Sequence, residues 1–156
     1  MQWQEGNELH SPKTHEVGTA LVVHCSDHRF RRAFDQFIDQ TLAIAEYDRI
    51  AIPGGPQFLV ALDYLPKFSW VGNRWTRFLL EAHGLKRVVL IAHEDCAWYR
   101  HVHGSHVELE ARQRADLHRA REQLREILPG VAVETYLATL HEGKIGFLHV
   151  DAATSR

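Results

Sequence analysis

The sequence predicts an α/β fold: a mostly parallel central sheet, strand order 2-1-3-4 plus an edge strand, flanked by helices. Three observations predict it. Short continuous apolar runs, Ala20–Val23, Ile50–Ile52 and Val88–Ala92, mark strands buried on both faces. Helical patterns lie between them, and strand–helix–strand alternation with right-handed crossovers builds a parallel sheet. The residues suited to metal chemistry fall just after strands one and three, and α/β sheets form their sites at the carboxyl ends of strands, beside the point where strand order reverses.

Each element follows in turn. Residues 1–18 are polar and read as an arm, which leaves 19–156 as one domain. After Ala20–Val23, the spacing of Phe30, Phe34, Phe37, Ile38 and Thr41 predicts a helix. Ile50–Ile52 is the second strand, stopped by Pro53-Gly54-Gly55, a tight turn first and substrate-facing backbone second. A helix around Trp75, Phe78, Leu79 and Ala82 ends at Gly84, its C-terminal cap. Trp70 and Trp75 are expected in the core or at a dimer interface. Val88–Ala92 is the third strand. A long helix covers about 106–128, with an apolar stripe of Leu109, Leu117, Ala120, Leu124 and Ile127 and one polar member, Gln113. Its Glu108–Arg112 and Glu110–Arg114 pairs, at i,i+4, make a solvated face. Pro129-Gly130 stops it. Val131–Leu137 is the fourth strand, and Glu142-Gly143 turns into an edge strand at Ile145–Val150.

Composition excludes several classes. Over 156 residues, 18 Lys+Arg stand against 20 Asp+Glu, so neither nucleic acid nor an anionic membrane is an expected partner. No apolar run approaches the roughly 20 residues needed to span a bilayer. The N-terminus lacks the basic-then-apolar layout of a signal peptide, so a cytoplasmic location is expected. No Gly-rich phosphate loop follows strand one, which leaves a nucleotide-binding reading without its motif. Two cysteines, Cys25 and Cys96, are too few for a disulfide-stapled domain.

The neighbours of those cysteines carry the chemistry. Cys25-Ser26-Asp27-His28-Arg29 follows strand one, and His93-Glu94-Asp95-Cys96 follows strand three. In the order 2-1-3-4 the two segments sit side by side. Zinc favours thiolate and imidazole in tetrahedral geometry, and the two-residue gap between His93 and Cys96 makes a hook to which Cys25 adds a third donor. Three protein ligands with one position left over is the catalytic pattern, whereas structural zinc sites close with four. Asp27 and Arg29, two residues apart in an extended segment, can point the same way, and an Arg can clamp a carboxylate through two hydrogen bonds. Two roles stay open for Asp27: a partner to the zinc-bound water, or a fourth zinc ligand that closes the site. The spacings select metal-assisted hydration or hydrolysis, not one substrate.

Cys-x-Asp-x-Arg at the end of a first strand and His-x-x-Cys at the end of a third resemble the signature of the β-class carbonic anhydrases, of which this chain looks like a small, divergent member. The flanks Ala20-Leu21-Val22-Val23 and Val88-Val89-Leu90-Ile91-Ala92 agree, and the resemblance runs from about Thr19 to Val150. It implies Cys25, His93 and Cys96 as zinc ligands and Asp27 with Arg29 as catalytic dyad. It implies reversible hydration of carbon dioxide to bicarbonate through a zinc-bound hydroxide, and a homodimer or dimer of dimers. Two stretches depart from the family pattern. Ala51-Ile52-Pro53-Gly54-Gly55 replaces an Arg-Asn-Ala-Gly type loop, and Ala97, then bulky Trp98 and Tyr99, follow a cysteine usually followed by Gly. These departures keep two alternatives in play: a zinc hydrolase acting on carbonyl sulfide or carbon disulfide, and a non-catalytic zinc-binding protein.

The remaining candidates take plainer readings. His101, His103 and His106 are expected in a solvated loop, and Glu94 and Asp95 as exposed loop charge. His24 precedes Cys25 and His28 lies within the first motif; both are placed to line the pocket and neither is assigned a role.

Overall fold

The computed structural model describes residues 18–60, 66–104 and 108–150. The arm expected over 1–18 lies, apart from Gly18, outside them, as does His106. The described strands are β1 (Ala20–His24), β2 (Tyr47–Ala51), β3 (Arg87–His93), β4 (Ala132–His141) and β5 (Lys144–His149). They form one five-stranded sheet in the order β2-β1-β3-β4-β5, with β1, β2, β3 and β4 parallel and β5 antiparallel to β4. The expected order holds, and the edge strand is present.

Strand β1 is central to the site. All five of its residues are buried, because it has a strand on each side and helices on each face. Side chains alternate between faces along a strand. Ala20 and Val22 therefore join Phe30, Phe34, Phe37 and Ile38 on one face. Leu21 and Val23 join Phe58, Leu80, Leu117, Ala120 and Leu124 on the other. Helix α1 (Arg31–Gln36) covers the first face. Helices α2 (Pro66–Ala82) and α4 (Leu109–Ile127) cover the second, together with a 3-10 segment, Gly55–Leu59.

Several boundaries differ from the sequence expectation for physical reasons. The helix expected through Thr41 changes gauge: after Gln36 the chain widens to a π turn over Phe37–Thr41, with Leu42 N–H bonding the Phe37 carbonyl. This turn seats the Phe37 ring flat on Phe147 of β5, 3.9 Å between centroids. His93 is the last residue of β3 rather than the first beyond it. Helix α3 (Ala97–His103) stands where a solvated loop was expected, because Tyr99 buries its ring against Cys25 and Cys96 and pulls the segment onto the core. Ile127, expected in the buried stripe, sits 37% exposed at the fraying end of α4, while Asp116 and Arg121 of that helix are buried. Trp70 and Trp75, with Phe78, lie exposed on the outer face of α2, so the two tryptophans are surface and not core. No helix among the described residues is long and apolar enough to cross a membrane.

Helix α2 approaches the 3-10 segment at Gly72, where an added Cβ would collide with the Phe58 carbonyl. Backbone cannot move aside as a side-chain tip can. Gly72→Ala is therefore expected to destabilise the fold by about 1–3 kcal/mol, the usual range for overpacking, read as a lower urea midpoint at unchanged slope.

Candidate metal centre

Cys25 directly follows β1, and β1 pairs with β3 in parallel with His24 opposite Ile91. That register places Cys25 beside the end of β3, where His93 stands. Cys96 returns to the same spot after the turn at Glu94-Asp95, which Asp95 makes possible by adopting φ +57°. The result is a buried cluster: one donor atom from each of Cys25, His93 and Cys96, all within 4.8 Å of one another. The two sulfurs are 3.9 Å apart and no disulfide joins them. Two thiolates on one tetrahedral zinc, with Zn–S near 2.3 Å, stand about 3.8 Å apart.

Each donor is oriented by its surroundings. His93 Nδ1 lies 2.8 Å from the Glu94 carbonyl, which can only accept, so Nδ1 carries the proton and Nε2 keeps its lone pair. That Nε2 is buried with no hydrogen-bond partner. An orphaned, unprotonated imidazole nitrogen beside two thiols is the donor set a soft divalent metal takes. The His93 carbonyl accepts a 2.6 Å bond from Gln113 Nε2, which explains the single polar member of the α4 stripe. Backbone N–H groups of Asp27 and Gly54 favour the ionised form of Cys25, and that of Tyr99 the ionised form of Cys96. The two sulfurs share one hydrogen bond in which either can donate, and that bond favours loss of one proton from the pair.

The Gly54-Gly55 turn matters here through close approach. Gly55 sits at φ +52°, and an added Cβ would lie 2.7 Å from the Cys25 nitrogen and 2.8 Å from the His24 carbonyl carbon. Gly54 sits at φ +78°, and the Trp98 indole occupies the place its Cβ would need.

Asp27 and Arg29 meet as expected. Arg29 Nε and Nη2 reach the two carboxylate oxygens of Asp27 at 3.1 and 2.7 Å, and the Arg29 backbone N–H adds a third bond at 3.0 Å. These bonds hold the Asp27 carboxyl down at about 2 and raise the Arg29 guanidinium further. Asp27 stands outside the three-donor cluster. The far side of Arg29 is held by Asp95, through Nη1 to Oδ2 at 3.0 Å and Nη2 to the backbone carbonyl at 3.1 Å. Arg100 then pairs with Asp95 Oδ1 at 2.7 Å. Asp95 is thus no mere loop charge: it is the second anchor of Arg29. Glu94 likewise has a partner, the Leu140 N–H at 2.8 Å.

Cys25 and Cys96 open on a cleft of about 510 Å³, lined also by Asp27, Arg29, Pro53, Trp98 and Arg100, while His93 stays buried behind them. His28 lines it too, whereas His24 is buried, 4.7 Å from Phe34, with Nδ1 on the Cys25 carbonyl. Concavities of about 570 and 580 Å³ along α2 hold none of the donors.

Sequence reasoning missed the polar group behind the cleft. Asp116, fully buried, accepts from Gln57 Nε2 at 3.0 Å, from the Tyr99 hydroxyl at 3.1 Å and from Arg112 Nε at 3.3 Å. Gln57 Nε2 also lies 2.8 Å from His103 Nε2, and its Oε1 accepts from the Trp98 indole N–H at 2.9 Å. His103 is therefore a half-buried member of this group rather than a loop residue. The i,i+4 spacing of Arg112 and Asp116 was the one local signal; Gln57 carried none.

A pH consequence follows. The folded pKa of Asp27 lies below its unfolded value, so its pairing stabilises the fold above about pH 4 and loses that contribution as pH falls through about 2. Asp27 is 14% exposed and Arg29 43%, so solvent screens the pair and its worth is at most about 1 kcal/mol. Asp27→Asn should be less stable by that amount at pH 7, and the gap to wild type should close between pH 4 and 2 in urea titrations.

Comparison with known proteins agrees with this arrangement. A family model described as "Putative carbonic anhydrase" matches residues 15–144. An uncharacterised protein of Rickettsia conorii is 25% identical over 137 residues, 82% of this chain and 71% of that protein. β-Carbonic anhydrase isoform I of Trichomonas vaginalis superposes with a TM-score of 0.56 at 13% identity, over 90% of this chain and 88% of that one. A tetrameric β-carbonic anhydrase of Sordaria macrospora gives 0.54 at 13% identity, over 85% and 81%. These low identities speak for the fold alone, while the family match spans most of the chain. With a β-carbonic anhydrase-like sheet carrying a Cys–His–Cys cluster at its switch point, this chain belongs to the carbonic anhydrase-like family that the model describes.

Proposed function

We propose that this chain is a zinc-dependent carbonic anhydrase that hydrates carbon dioxide reversibly to bicarbonate, with 19–156 acting as one zinc-binding domain. The observation that carries the reading is the orphaned His93 Nε2, buried beside two thiols within 4.8 Å. Cys25, His93 and Cys96 would hold the metal. Zinc in such a site supplies Lewis acidity and acidifies a coordinated water.

The residues around it divide the remaining work. Asp27, kept ionised by Arg29, is a carboxylate near neutral pH and accepts a hydrogen bond there. Arg29 fixes the carboxylate through two bonds and is itself fixed by Asp95, so the dyad cannot swing freely. Pro53, Ala97 and Trp98 give the cleft an apolar wall suited to an uncharged substrate. The same apolar wall favours a second reading, hydrolysis of carbonyl sulfide or carbon disulfide, whose sulfur atoms are less polar than oxygen. A homodimer or dimer of dimers is supported by the exposed Trp70, Trp75 and Phe78 and by the tetrameric Sordaria relatives. Two free cysteines support a reducing, cytoplasmic setting.

The test is stopped-flow carbon dioxide hydration, with metal content measured on the same sample. One zinc per chain and activity rising with pH between about 6.5 and 9, where a zinc-bound water can titrate, is the expected result. Asp27→Asn should keep its zinc and lose about 10- to 100-fold in kcat, the ordinary cost of removing a hydrogen-bonding partner beside a metal site. Full zinc with no hydration moves the assignment to carbonyl sulfide or carbon disulfide, assayed on the same sample. No turnover of any of the three would identify a non-catalytic zinc protein.

A further inference from the structure

Trp98 lies in one of the two stretches where the chain departs from the family pattern, and the structure shows what stands there. Trp98 packs against the Cys25–Cys96–Tyr99 group and lines the cleft beside Asp27 and Arg29. Its indole is held on three sides. Gly54 supplies the space that any Cβ would fill. Phe68 stands 5.5 Å away, tilted against the ring. Gln57 Oε1 takes the indole N–H at 2.9 Å.

Gln57 is itself immobile. Its amide nitrogen donates to Asp116 Oδ2 and faces His103 Nε2, and its oxygen faces Trp98. Flipping the amide would set its oxygen against a carboxylate and its N–H groups against the indole N–H, so only one orientation satisfies the group. Asp116 is anchored in turn by Tyr99 and Arg112. A wall braced through such a group keeps its place when a ligand presses on it, and discrimination by clash requires that.

Resting on the reading of Cys25, His93 and Cys96 as a metal centre, we propose that Trp98 is a specificity-determining residue: its braced indole is a fixed wall beside the two cysteines that hinders planar or branched ligands from reaching the metal end of the cleft and leaves small linear ones unhindered. Carbon dioxide, its sulfur analogues and linear anions are favoured there over aromatic carboxylates.

The experiment uses the full chain loaded with cobalt(II), titrated with thiocyanate and with benzoate and read from the visible cobalt bands, so it needs no turnover. Wild type should bind thiocyanate and respond to benzoate at least about tenfold more weakly. Trp98→Ala should tighten benzoate by about tenfold or more, the discrimination one apolar contact supplies, with thiocyanate changing less than about threefold. Trp98→Phe, which keeps a ring but loses the bond to Gln57, should fall between the two. If Trp98→Ala does not fold, Trp98→Leu carries the comparison. Normal cobalt bands with the same thiocyanate-to-benzoate ratio in wild type and variants overturn this inference alone. A wild-type chain that takes up no cobalt overturns the metal-centre reading, and this inference with it.

Discussion

Strand β1 runs between β2 and β3, and its parallel register with β3, His24 against Ile91, decides where everything else can stand. Cys25 and His93 are 68 positions apart in the chain, and only this pairing makes them neighbours. The apolar faces of β1 and β3 hold the register, because a slip of one residue would turn every buried side chain to the opposite face. The hook from His93 to Cys96 then needs just one unusual backbone position, Asp95. The three candidate donors come from the end of the sheet and from one tight turn, so their mutual distances are set by the fold itself.

A second layer of polar bonds steadies what the sheet positions. Gln113 fixes the His93 carbonyl, Asp95 fixes Arg29, and Asp116 gathers Gln57, Tyr99 and Arg112 behind the cleft. A buried carboxylate is tolerated when it is hydrogen-bonded and paired; Asp116 takes its hydrogen bonds at Oδ2, while Oδ1 has the Arg112 ion pair alone. The helices that carry these side chains do more than cover the sheet. Each delivers at least one polar group to the back of the site.

Strand order and the three donors were legible because their signals are local: apolar runs, and two short motifs placed directly after them. The supporting groups were not, since nothing near Gln57 announces Asp116, 59 positions on, or Trp98, 41 positions on. Helix α3 was hidden by its histidines, which read as polar loop until Tyr99 is seen buried beneath them. Asp95 resembled any exposed acid, because its value lies in a guanidinium 66 residues away. For the tryptophans of α2 periodicity marked an apolar side but left core and interface surface open, and their exposure removes the core alternative.

The contact between Gly54 and Trp98 ties two positions 44 residues apart into one unit. A larger residue at 54 evicts the indole, and a smaller one at 98 removes the reason for glycine's left-handed turn to stay uncrowded. Variation at either place is therefore constrained by the other. A lineage leaving this arrangement would cross it most easily by shrinking 98 first, since the opposite order passes through a clash.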